Sequence, residues 1–213
     1  MDVRIRYFLT GSGIISLLVL LVFSVRLWSD MGAFSNLGNV KVKGLDGAPV
    51  HIVVYSDFQC PACKNVLPPL EELESEFSNT VRVEFRHYPL EKPHRWAMAA
   101  ADFAECAAEQ GKFWEYHNRL FMDQAAWSSS EDAISFFVGY VQELGLDKER
   151  IEKCLENPET LKKIRRERSI GVRQKVQSTP TIFINGRMVV GGLQLKTNGR
   201  EMILEELKKL NKV

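Results

Sequence analysis

A chain of 213 residues has room for one domain of ordinary size carrying an inserted subdomain. Hydrophobic residues make up 45% and charged residues 26%, as in folded globular proteins, so wholesale disorder is excluded. The 28 Lys and Arg against 27 Asp and Glu leave a net charge of +1, which removes the electrostatic case for a nucleic-acid partner.

Tyr7 to Val25 is a run of nineteen residues without a charge, bracketed by Arg6 and Arg26. As a helix it reaches about 28 Å at ~1.5 Å per residue, close to the ~30 Å of a hydrocarbon core. Arg4, Arg6 and the terminal amine precede it, so the positive-inside rule keeps the amino end in the cytoplasm and everything from about Ser29 outside. The expectation is an uncleaved anchor over residues 1–28. A cleaved signal peptide is the alternative, although the exit through Val25-Arg26-Leu27-Trp28 lacks the small residues of a cleavage site; a buried core helix is the third. Either of the first two exports the rest of the chain to where disulfides persist. Gly, Ser and Asn then mark residues 29–47 as a tether.

Val50-His51-Ile52-Val53-Val54-Tyr55 is short, apolar and β-branched, as expected of a strand buried on both faces. After Asp57-Phe58-Gln59 and Cys60-Pro61-Ala62-Cys63, the residues Val66, Leu67, Leu70, Leu73 and Phe77 recur at helical spacing. Pro61 suits a first turn, while Pro68 should kink the helix. Val81-Arg82-Val83-Glu84-Phe85-Arg86 alternates as a second strand. Residues from about 93 to 175 read as helical throughout, with Ser130-Glu131-Asp132 a candidate cap. Thr181–Ile184 and Met188–Val190 flank Asn185-Gly186, a hairpin signal. Arg200 to Asn211 closes the chain as a helix.

The chemistry lies in the cysteines. In Cys-x-x-Cys at a strand-to-helix junction, Cys60 faces the helix amino terminus, whose free N–H groups and positive dipole end favour a thiolate. Two intervening residues bring the sulfurs within bonding reach, so Cys63 can resolve a mixed disulfide on Cys60. The alternatives are a zinc site, which needs two more converging ligands, or an incidental pair. His51, His87 and His94 offer no metal spacing. Lys162, Lys163, Arg165, Arg166 and Arg168 read as a solvated helix face.

Phe58-Gln59-Cys60-Pro61-Ala62-Cys63, Ser178-Thr179-Pro180-Thr181 and the helical block between them resemble the DsbA-like thiol–disulfide oxidoreductases, in their membrane-anchored bacterial branch. Ala107-Ala108-Glu109-Gln110-Gly111-Lys112-Phe113-Trp114 and Phe183-Ile184-Asn185-Gly186-Arg187 extend the resemblance. It implies an α/β architecture: a thioredoxin fold over residues 48–213, interrupted by a helical domain at about 93–175 and preceded by the single transmembrane helix. It implies Cys60 and Cys63 as the catalytic pair and a cis Thr179-Pro180 as the substrate-binding backbone, where local sequence alone favours a trans turn. Cys106 and Cys154 resemble a second, structural pair in some relatives. Bridged, they would close a long loop worth about 4 kcal/mol in the chain-entropy model; unbridged, they are two small buried hydrophobes. Two departures stand out. Ala62 replaces a histidine of the strongly oxidising relatives, and Val54 replaces an acidic proton relay. Asp57 and Glu84 are the candidate substitutes, with Glu84 preferred.

The resulting expectation is an oxidoreductase of the bacterial cell membrane, single-pass, with its catalytic domain on the extracytoplasmic side. It needs no cofactor or metal. Its partners would be unfolded exported proteins, the membrane through the amino-terminal helix, and a quinone-linked membrane thiol oxidase of the DsbB or vitamin K epoxide reductase type. The rivals are a reductase or isomerase of the same fold and a non-enzymatic, chaperone-like client-binding module.

Overall fold

A computed structural model describes residues 41–210. Five strands form one sheet in the order β1-β3-β2-β4-β5: β1 Val42–Gly44, β2 Val50–Ser56, β3 Val81–His87, β4 Thr181–Ile184 and β5 Arg187–Val190. β2 and β3 run parallel, joined by α1 Pro61–Asn65 and α2 Leu67–Glu76, and the remaining pairs are antiparallel. Between β3 and β4 lie α3 Ala97–Ala108, α4 Phe113–Met122, α5 Gln124–Ser128, α6 Ala133–Glu143, α7 Lys148–Glu156 and α8 Pro158–Arg173. α9 Gly191–Leu210 follows the hairpin.

Local chemistry explains most of these boundaries. The helix after Cys60 does not merely kink. It breaks at Val66 into α1 and α2, because Pro68 and Pro69 have no N–H to return to the preceding turn. Asp132 caps α6 by accepting from Ser135 N, and Asn157 caps α8. Asn185 and Gly186 have φ of 44° and 84°, both positive, as a tight hairpin matched to strand twist requires.

Two boundaries differ from expectation. Val42–Gly44, at the end of the expected tether, pairs with β3 as an edge strand, Val42 opposite Glu84. α9 starts at Gly191 rather than Arg200. Its glycines permit close packing: a Cβ on Gly192 would lie 3.3 Å from Asn65 O, and one on Gly199 would lie 2.9 Å from Leu73 Cδ1. A helical glycine costs roughly 1 kcal/mol, and at these positions a larger residue would meet α1 or α2.

One sheet face packs Val50, Ile52, Val54, Ile182 and Ile184 against Leu70, Leu73, Leu195 and Ile203. The insertion has its own core, including Phe103, Leu120, Trp127 and Phe137, continuous with Phe58, Cys63 and Phe85. Only the half of β2 nearest Cys60 is buried on both faces. There α8 closes over Tyr55 and Tyr88 at Gly171, where a Cβ would lie 2.8 Å from the Tyr88 ring. Among the described residues no helix is long and apolar enough to cross a membrane, and the anchor expected at residues 1–28 lies outside them.

Candidate active site

β2 ends at Ser56, and the chain turns through Asp57-Phe58-Gln59 into α1 with Cys60 as its N-cap, at φ −75° and ψ 120°. Pro61 takes the first helical position, where its missing N–H is not needed. Cys60 is 8% exposed and Cys63 is fully buried, and both are free thiols. A hydrogen bond from the Cys63 thiol holds the Cys60 sulfur down to about 5, against the opposing effect of burial; Thr179 and the N–H groups of Cys63 and Ala62 add to the downward shift. Burial pushes Cys63 well above the ordinary thiol range, and the Cys60 sulfur beside it adds to that rise. The Asp57 amide, donating to Cys63 Sγ at 3.4 Å, and the Ser56 hydroxyl soften the rise without reversing it.

Thr179-Pro180 is a cis peptide immediately before β4. The Cys60 thiol donates to Thr179 O at 3.5 Å. The buried Thr179 hydroxyl has no other partner and can donate to the ionised sulfur. Thus Cys60, Cys63, Thr179 and Pro180, distant in sequence, meet at one end of the central strands.

The insertion grips this loop from the other side. One Asp57 oxygen accepts from Gln59 N at 2.7 Å, and the second accepts from Leu90 N at 2.8 Å and lies 2.7 Å from His94 Nδ1. Trp96 N donates to Gln59 Oε1 at 2.7 Å, and Gln59 Nε2 to Ser128 O at 3.2 Å. Gln124 Nε2 donates to both Phe58 O (2.7 Å) and Cys60 O (2.9 Å). Sequence reasoning missed Gln124 and assigned His94 no role. For Asp57 the signal was local, a carboxylate two residues before the amide it accepts; for Gln124 there was none.

Glu84 is not the substitute proton acceptor. It pairs across the sheet with Val53, whereas Val54 pairs with Phe85, so Glu84 and Val54 face opposite sides. Its carboxylate meets His51 Nε2 at 3.0 Å and Arg86 Nη2 at 2.6 Å. Val54 instead lines a crevice with Ser56, Phe85, His117 and the Lys43–Glu74 pair, with a free volume of about 10 Å³, room for one water. His117 is buried there, which pushes it down to about 3 and keeps it neutral.

Cys106 and Cys154 are joined by a disulfide that ties α3 to α7, with Cα atoms 5.6 Å apart. Beside it, His87, Glu105 and Glu167 place ligand-type atoms within 4.8 Å of one another. Lys41 bridges both carboxylates, and Lys163 Nζ meets Glu105 at 2.5 Å. Glu167 also accepts from His87 N at 2.7 Å. Burial lowers His87, so the imidazole is neutral and the two ammonium groups balance the two carboxylates. The cluster is an ionic network tying Lys41, just ahead of β1, to β3, α3 and α8, its cation positions filled by lysine.

A family model described as thioredoxin matches residues 38–205. Among solved structures, the fold is similar to BdbD from Bacillus subtilis, with TM-score 0.69 and 22% identity over 79% of this chain and 92% of that one. It is also similar to alpha-DsbA1 of Wolbachia pipientis (0.67, 20%, 80% and 94%) and to DsbA2 of Pseudomonas aeruginosa (0.61, 25%, 74% and 90%). Among curated proteins, Na(+)/H(+) antiporter NhaA 1 of Salinispora arenicola is 35% identical over 155 residues, covering 73% of this chain and 23% of the relative. Na(+)/H(+) antiporter NhaA of Herminiimonas arsenicoxydans is 31% identical over 156 residues, covering 73% and 24%. The chain thus spans under a quarter of the length of these relatives. The localisation expected from the sequence, single-pass with an extracytoplasmic catalytic domain, does not stand. The matched curated relatives are named as Na(+)/H(+) antiporters, not as single-pass oxidoreductases, and the span expected at residues 1–28 lies outside the described residues. With this sheet, this helical insertion and the match over residues 38–205, the chain belongs to the thioredoxin family and has the DsbA-like fold.

Proposed function

We propose that the protein is a thiol–disulfide oxidoreductase that oxidises cysteine pairs in other proteins. The asymmetry of its two thiols carries this reading: Cys60, the 8%-exposed N-cap of α1, is held down to about 5, while fully buried Cys63 is raised. In the oxidised form a substrate thiolate attacks Cys60 Sγ. The Cys60–Cys63 bond breaks, and the electron pair and a proton go to Cys63. A second substrate thiolate then attacks the substrate sulfur of the mixed disulfide and expels Cys60 as a thiolate. The substrate gains a disulfide, the Cys60–Cys63 pair gains two electrons, and one proton leaves to solvent. The low pKa makes Cys60 a good leaving group, which drives the reaction toward substrate oxidation.

Thr179 O, beside the Cys60 sulfur, is the backbone acceptor proposed to align a substrate segment, with Pro180 flanking it. The Ala62 side chain supplies neither charge nor donor, so the potential should fall between the roughly −120 mV of the strongest oxidases and the roughly −270 mV of thioredoxin. The proposed electron acceptor is a quinone-linked thiol oxidase of the DsbB or vitamin K epoxide reductase type. Oxidised protein should convert a reduced, unfolded substrate to its disulfide form, and Cys60→Ser should abolish this. A potential at or below thioredoxin's, with both thiols trapped reduced in cells, would assign a reductase instead.

A further inference from the structure

We propose that Gln124 is a positioning residue for the Cys60 nucleophile, clamping the carbonyls on either side of Gln59 so that Cys60 stays at the N-cap of α1. The inference rests on the reading of Cys60 as the reacting thiol. Gln124 is 5% exposed and belongs to the insertion, not to the thioredoxin elements that carry the cysteines. A primary amide has two N–H donors on one nitrogen. Both are used here, on Phe58 O at 2.7 Å and Cys60 O at 2.9 Å. Cys60 O also accepts the first helical bond, from Cys63 N at 3.0 Å, so both its lone pairs are engaged.

That second bond fixes the plane of the Cys60–Pro61 peptide and therefore the ψ of 120° at Cys60. This torsion decides whether the sulfur hangs over the N–H groups of Ala62 and Cys63 or swings away from them. The cap has no side-chain hydrogen bond of its own to hold it. Gln59 is held by Ser128 O and Trp96 N, but those bonds end on its side chain and leave the Cys60 carbonyl untouched. Through Gln124 the placement of the helical insertion thus bears directly on the thiolate.

The test uses the reduced full chain and follows Cys60 ionisation by thiolate absorbance and by alkylation rate against pH. Gln124→Met keeps the length and removes both donors; Gln124→Glu keeps the shape and also places a carboxylate against the two carbonyls. Each should raise the Cys60 midpoint by about one pH unit, cutting the thiolate fraction at pH 5 about fivefold. In the wild type, the Gln124 side-chain amide resonances should follow the same midpoint, a readout that needs no variant to fold. Folded variants that titrate as wild type, or an amide signal that stays flat across the Cys60 midpoint, would overturn the inference. A wild-type Cys60 that titrates as an ordinary thiol would instead sink the oxidoreductase reading before any variant is made.

Discussion

Replacing Cys60 with Ser in the fully reduced protein removes one titrating group and leaves the others, so the difference in stability between the two proteins isolates what that thiolate contributes. In the folded chain Cys60 is held to about 5, whereas an unfolded thiol ionises near ~8.5. A depressed pKa contributes stability that is fully present above the unfolded value and is lost as pH falls through the folded one. At pH 7 the gap between 5 and 7 corresponds to about 2.7 kcal/mol, reduced to about 2 kcal/mol for solvent screening at the rim of the site. At pH 4 both states are protonated and the contribution vanishes. Cys63, raised by burial, stays a thiol in both states below about pH 8 and adds no slope in this window. The contributions of Glu105, His87 and His117 occur in both proteins and cancel. Denaturant unfolding in excess reductant at pH 4 to 8 measures the difference. Wild type should gain about 2 kcal/mol over Cys60→Ser between pH 4 and 7, or about 4–8 °C in Tm for a domain of this size. A difference that stays flat across this range, or that grows as the pH falls, would refute the thiolate assignment.

Cys106→Ala with Cys154→Ala should lower stability by about 4 kcal/mol in the chain-entropy model while substrate oxidation through Cys60 continues; thermal melts and turnover check this together. Glu84→Gln should leave release of the mixed disulfide unchanged from pH 5 to 8, since its carboxylate faces His51 and Arg86 on the far side of the sheet. A slowed release would restore it as a proton acceptor. Lys41→Met should cost about 3–5 kcal/mol by leaving Glu105 and Glu167 short of a buried cation, measured by denaturant unfolding at neutral pH. Because Glu105 is held well below the carboxylate range by His87, Lys41 and Lys163 despite its burial, that deficit should persist through pH 5 and close only in stronger acid.

The elements legible in the chain were those whose cause is local. Cys-x-x-Cys at a strand end, the prolines after it, Asn185-Gly186 between two apolar runs and Asp132 ahead of a helix each act within a few residues. β1 gave too short a pattern to read, and α9 was read short because its glycines look like breakers until α1 and α2 lie against them. In the site, the alternation of β3 showed that Glu84 lies on one face and Phe85 on the other. It could not say which face meets Cys63, since only the register with β2 decides that.

The sequence by itself determined the chemistry available: two thiols two residues apart at a helix start, with different surroundings in prospect. Tertiary structure decided how they differ and what holds them. Thr179 is brought to the Cys60 sulfur from 119 residues away, and Gln124 reaches the Cys60 carbonyl from 64. Lys41 is drawn into a pair of carboxylates on two separate helices. Hydrogen bonds and ion pairs such as these depend on the placement of atoms to within a few tenths of an ångström, which periodicity and spacing along the chain do not encode.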